Sequence, residues 1–321
     1  MPSTRRRRSL AFTCTLAGIV VGSCGGSLPG PTSTARPPGP TPTARPPGPT
    51  PTARWSGPPR LVIRSTSPAG VIWSVTERGR PQRRSPLQVP YQDTELGPAA
   101  ADGSILASTD GQLLVLTVDG SSLAVTAAAP APPGQVLLPA CFAGDGRPVF
   151  ADAETLTLVE LSPAGIVPFT DVAFTLGECA PLADGRTLVA VDGGGLVARR
   201  VGGPSTPIAG IAGRRLSGGG GLVAMTDPSS EPGEAVVREA TVSEDGVLGA
   251  EIGRVAGRGT ERVVNAQLSP DGGWLAVVLE RETDAEPEAR LRLYRVASDG
   301  LTQVSDLAIE VGAQITVLPS P

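Results

Sequence analysis

The feature that most limits what this chain can fold into is a recurring phrase: a turn built on Asp-Gly, then a short run of Val, Leu and Ala. It occurs at Asp102-Gly103, Asp145-Gly146 and Asp184-Gly185, as an all-glycine variant at Gly218 to Gly221, and most fully at Asp271-Gly272. The starts at 102, 145, 184, about 220 and 271 are spaced by roughly 35–50 residues. Glycine accepts positive φ and Asp bonds its own backbone, so the pair turns a strand tightly at little cost. These aspartates therefore have a structural task rather than a catalytic one. Short apolar strands between Gly, Asp and Pro turns, with no long helical periodicity, predict an all-β chain. The spacing is that of one four-stranded blade of a β-propeller.

Within the last copy, Ser269-Pro270-Asp271-Gly272, two residues, then Leu275-Ala276 resembles the WD-like repeat of TolB-type β-propellers. The resemblance implies that Asp-Gly joins the first and second strands of a blade and that Leu291 to Val296 forms the third. It extends over residues 61–321 as architecture and says little about function, because the repeat is a packing device. Six blades are expected, five from the repeats. The sixth would combine segments 61–65 and 71–76 with a C-terminal strand at 314–318, where Ile315 and Val317 pair into the first blade. Closing the ring with strands from both chain ends removes exposed sheet edges. A seventh blade stays open if residues 81–98 hold further strands. Trp274 and Trp73 read as strand packing.

The N-terminal 60 residues have a different character. Arg5 to Arg8 precede an apolar run from Leu10 to Val21, too short for the ~20 residues that span a bilayer. This reads as an export signal over residues 1–23, with twin-arginine and Sec routes both open. Val21-Gly22-Ser23-Cys24 resembles a bacterial lipobox, which implies a diacylglycerol thioether on Cys24; ordinary cleavage releasing a free product is the alternative. Cys14 lies in the apolar core of the signal. Residues 34–42 and 43–51 are identical Pro-rich units, and Arg36, Arg45 and Arg54 mark the period. Pro fixes φ and lacks an N–H, so residues 24–60 are expected to form a disordered, extended stalk. At about 3.1 Å per residue it reaches on the order of 100 Å.

Composition narrows the chemistry. The chain has no His and no Lys, so all 27 basic residues are Arg. No Ser-His-Asp triad, imidazole ligand, Schiff base or Walker phosphate loop can be built. Residues 61–321 carry 19 Arg against 31 acids, a net charge of −12. An acidic body is a poor partner for nucleic acid. No cofactor and no metal site are expected, since two Cys without His fall short of a four-ligand set.

Two candidate features remain. Cys141 and Cys179 precede successive Asp-Gly turns, so both fall near the innermost strands of adjacent blades. Outside the cytoplasm they are expected to pair, with two buried thiols as the alternative. The second-to-third strand connection is tight in early blades, as at Asp110-Gly111 and Asp192-Gly193-Gly194, and longer in the last two, at 226–234 and 280–289. The latter carries Glu280, Glu282, Asp284, Glu286 and Glu288, an expected partner-contact patch, with a solvated loop as the alternative. The functional expectation is a membrane-tethered, extracytoplasmic, non-catalytic module that binds an envelope protein or ligand. The second class is a hydrolase or lactonase-like propeller using carboxylates and Ca²⁺.

Overall fold

A computed structural model describes residues 59–64, 69–75, 81–88, 93–109, 111–119, 122–162, 165–169, 178–191, 195–200, 203–211, 215–226, 233–281, 283 and 286–319. The export signal, Cys24 and the proline-rich repeats lie outside the described residues. Among the described residues there are 24 strands and no helix. Four strands come together at the chain ends: β24 (Gln314–Leu318), β1 (Arg60–Arg64), β2 (Ala69–Val75) and β3 (Pro81–Gln88). The next unit is β4 (Glu95–Ala99), β5 (Ile105–Thr109), β6 (Gln112–Asp119) and β7 (Ser122–Pro130). The third is β8 (Leu137–Phe142), β9 (Pro148–Asp152), β10 (Thr157–Ser162) and β11 (Gly165–Pro168). The fourth is β12 (Cys179–Pro181), β13 (Thr187–Ala190), β14 (Leu196–Arg199) and β15 (Ser205–Ile208). The fifth is β16 (Arg215–Gly219), β17 (Leu222–Thr226), β18 (Glu234–Glu239) and β19 (Glu251–Ala256). The sixth is β20 (Glu261–Leu268), β21 (Trp274–Arg281), β22 (Glu288–Ala297) and β23 (Gly300–Ile309).

These strands form five sheets in a propeller arrangement, four of four strands and one of eight. The eight-stranded sheet is two antiparallel units joined by one parallel register pair, Gln88 with Ser122. Around the axis the innermost strands neighbour one another in the order β24, β4, β8, β12, β16, β20 and back to β24. The count is thus five by hydrogen-bonded sheet and six by four-stranded unit. The strands described between residues 81 and 98 are β3 and β4, which add no seventh unit.

The closing strand pairs antiparallel with β1, placing Ile315 opposite Ile63 and Val317 opposite Leu61. All four side chains are buried with Trp274, Leu291 and Leu293 in one apolar cluster. Burying these edges and faces together is what the alternating apolar pattern of both termini provides.

The repeated turns do what their chemistry requires. Gly103, Gly146, Gly185 and Gly272 all have φ between 72° and 85°. Asp102, Asp184 and Asp271 each accept, through Oδ1, the N–H two residues on, at 2.9, 2.9 and 3.2 Å. Each turn joins the first and second strands of its unit. The all-glycine variant has a second cause. A Cβ on Gly219 would stand 2.0 Å from the Ser269 carbonyl oxygen, and one on Gly220 2.1 Å from that of Asp271. The Asp-Gly turn of the sixth unit lies directly on this backbone, and Gly220 N–H donates to the Pro270 carbonyl at 2.8 Å. The glycine run is an inter-unit packing surface, not a phosphate cradle.

One element has no counterpart among the described residues of the other units. Residues 240–250 between β18 and β19 form their own small hairpin, bridged at Val242 and Leu248. It docks on the fourth unit: Ala183 N–H donates to the Ala240 carbonyl, and the Arg186 guanidinium donates to that of Val242.

Candidate functional site

The innermost strands surround a channel of about 940 Å³. Its charged lining side chains are Glu95, Glu178, Arg215, Arg262 and Glu280. Glu95, Glu178, Arg215 and Arg262 stand at or beside the first residue of β4, β12, β16 and β20, and Gln314 begins β24. Charge is therefore gathered at one mouth. The other end is lined by Gly144, Gly146, Gly218 to Gly221, Ala183 and Pro270. Strands alternate in direction, so the charged mouth shares its face with the described residues that lie between second and third strands, such as Glu154, Thr283 and Glu286. Arg60, where the chain enters the described body, starts β1 at the opposite end.

A β-bulge sets the polar wall. The β20–β21 register shifts between Val263 and Asn265. With that extra residue, Asn265 and Gln267 line the channel beyond Arg262, while Val263, Ala266 and Leu268 pack in the core between the fifth and sixth units. Strict alternation would have put the two amides in that core. The Asn265 Oδ1 is buried and has no hydrogen-bond partner, a state that costs roughly 1–3 kcal/mol unless something donates to it.

Glu178 has a structural task at the seam between units. Its Oε2 accepts the Leu216 N–H at 3.1 Å, and Arg215 reaches its Oε1 at 3.5 Å. Although 23% of its side chain stays open to the channel, protein encloses it, and burial pushes its pKa up to about 7 against the pull of Arg215 and the Leu216 N–H. Gln314 plays the same part at the ring closure, where its Oε1 accepts the Leu96 N–H at 3.1 Å. Ser217 Oγ accepts the Leu268 N–H at 3.0 Å between β16 and β20. Between β8 and β12 a covalent link stands instead: Cys141 and Cys179 form a disulfide with Cα atoms 5.3 Å apart. Both cysteines are buried in the channel wall.

The five acids expected in one loop are distributed otherwise. Glu280 and Glu288 are in strands, because the β21–β22 ladder continues to the pairs Glu280–Ala289 and Arg281–Glu288. Glu280 lies opposite Arg262 at the channel mouth, 3.9 Å from its guanidinium. Glu288 pairs with Arg281 at 2.8 Å. Glu286 is exposed in the shortened loop, and Glu282 and Asp284 lie outside the described residues. In one cleft with Glu280 and Glu288, Arg292, 4% exposed, holds Glu261 through two bonds of 2.7 and 2.8 Å and Asp306 at 3.1 Å. Burial works against that guanidinium's charge, and the bonds it donates to Glu261 and Asp306 outweigh it, so its pKa is raised. Glu261, Glu280, Glu288 and Asp306 thus each have an arginine partner, which the acidic sequence run did not show.

No protein-family model matches the sequence, and no curated protein matches it significantly. Solved structures do resemble it. A protein of unknown function from Bacteroides caccae is 18% identical over 81% of this chain and 98% of its own, with a TM-score of 0.47. A Lactobacillus plantarum protein is 15% identical over 78% and 82%, at 0.46. A Staphylococcus aureus virginiamycin B lyase is 10% identical over 78% and 96%, at 0.41. Likeness at this level carries nothing about ligand or reaction.

Proposed function

We propose that this chain is a lipid-anchored, extracytoplasmic β-propeller that binds an envelope protein or other envelope component and does no chemistry of its own. The observation that carries this reading is the polarity of the channel: charge at one mouth, bare backbone at the other. The export-signal pattern, the lipobox resemblance, the TolB-type repeat at residues 268–277 and a buried disulfide all suit an extracytoplasmic location. The absence of His and Lys removes the commonest nucleophile and base arrangements. For the Ca²⁺-dependent alternative, no three His, Cys, Asp or Glu side chains among the described residues are grouped to hold a metal ion.

The reading is tested by labelling cells that produce the protein with radioactive palmitate and fractionating them. Label should enter the wild type and not Cys24→Ala, and only the wild type should stay with membranes. Equal label-free release of both would exclude the anchor.

A further inference from the structure

The turn between the second and third strands of the third unit breaks a local rule. The residue just before the third strand is Gly111 in the second unit and Gly233 in the fifth, with φ of 85° and 71°. In the third unit it is Leu156, with φ of 54°, the one non-glycine residue of positive φ among the described residues. L side chains rarely adopt that conformation, and glycine takes it freely. The turn is held by Asp152. Its Oδ1 accepts the Glu154 and Thr155 N–H groups at 2.9 and 3.3 Å, and its carbonyl accepts that of Leu156 at 2.9 Å. A leucine thus stands in a glycine's place, and it is not put into the core: it stays 36% exposed.

A second apolar residue stands beside it. Leu137, Asp152 and Thr157 are in register across β8, β9 and β10. One residue further out the row is Val136, Ala153 and Leu156, and the Ala153 N–H donates to the Val136 carbonyl at 2.9 Å. Val136 is 53% exposed, and the exposed Pro133 lies on the connection that leads to it. The mouth face therefore carries an apolar patch over the third unit. Residues 131–136 and 153–157 hold one charge, the exposed Glu154.

We propose that Leu156 and Val136 are the anchor by which the mouth face docks an envelope protein bearing an apolar socket flanked by an arginine or lysine. This rests on the contact-face reading above and names the place and the partner's chemistry. A conformational penalty kept at an exposed apolar residue gains the fold nothing unless something covers that residue. Charge decides among three occupants. A bilayer-binding surface sets basic residues beside its apolar ones, and this patch has none. A second copy meeting the patch about a two-fold axis would set Glu154 against Glu154. A partner cation complements it.

The test is photocrosslinking of the anchored, full-length protein in intact cells, with a photoreactive residue in place of Pro133 beside the patch or of Glu286 across the face. A discrete adduct to another protein should form from position 133. Leu156→Asn keeps a residue that accepts positive φ, so it should melt no lower than the wild type. It should still cut that adduct about tenfold or more, as should Val136→Ser. Glu154→Arg should cut it severalfold. An adduct undiminished in Leu156→Asn would overturn the anchor. So would a lower melting temperature in that variant, which would show the side chain packing within the fold. An adduct to a second copy or to lipid would overturn the partner's identity. An adduct from position 286 with none from 133 would refute the anchor and leave the contact-face reading standing, and none from either would refute both.

Discussion

The hydroxyl of Thr316 donates to the backbone carbonyl of Gly97 at 2.7 Å, across 219 residues of chain. Thr316 is fully buried, and its strand is the last of the fold. The bond ties β24 to β4, so it fastens the closing unit to the one after it. Thr316→Val keeps the shape and leaves that carbonyl unpaired, which should cost about 1–3 kcal/mol by urea unfolding. Truncation after residue 311 removes β24, exposes Leu61 and Ile63, and should leave no soluble folded protein. A truncated chain with unaltered stability would refute ring closure.

Gly219 has an ordinary φ, so its lack of a side chain matters for packing alone. Gly219→Ala drives a Cβ against the Ser269 carbonyl, 2.0 Å away. The sixth unit's turn must shift, at about 2 kcal/mol or more. Gly111→Ala meets no neighbour but keeps φ at +85°, and should cost only about 1–2 kcal/mol of backbone strain. Thermal melts of the two variants should rank in that order.

Glu178 sets a pH dependence of stability. Its folded pKa of about 7 lies above the ordinary 4.5. Below 4.5 the group is protonated folded or unfolded, and no cost arises. Between these values the folded protein holds a proton that the unfolded chain has lost, so stability falls as pH rises. Above 7 the full cost remains, about 3 kcal/mol at most. Glu178→Gln should therefore raise stability at pH ~8 by roughly 1–3 kcal/mol and leave it unchanged near pH ~4. A pH-independent difference would contradict this account.

The Cys141–Cys179 bond closes a segment with a sequence separation of 38 and joins neighbouring innermost strands. In the chain-entropy model that is worth about 3–4 kcal/mol. The double Ala variant should unfold at correspondingly lower urea, and reduction of the wild type should bring its midpoint to the same place. Coincident midpoints for oxidised wild type and variant would show that the link adds nothing.

Features governed by local chemistry were legible in the sequence. Asp-Gly turns bring their own hydrogen bonds, and the apolar alternation of residues 314–318 fits a closing strand wherever the chain begins. Features governed by contact between distant units were not. Glu178, Arg215 and Gln314 look like ordinary surface residues until their strands are set around the axis. The signal that could have found them is position: each begins a strand that leads toward the axis. Asn265 and Gln267 were hidden because the bulge beside Val264 breaks the alternation a strand pattern assumes. Glu280 and Glu288 looked like loop residues because a run of charge ends most strands, but Arg262 and Arg281 neutralise them and the ladder runs on.

The central claim is that one face, bearing the charged channel mouth, meets a partner at the cell envelope. It is tested most directly by photocrosslinking the anchored protein in intact cells, with a photoreactive residue in place of Glu154 or Glu286 on that face, or Asp145 or Asp299 on the other. The account predicts one discrete adduct from the first pair and none from the second. Adducts from the second pair alone, or none from any position, would contradict it.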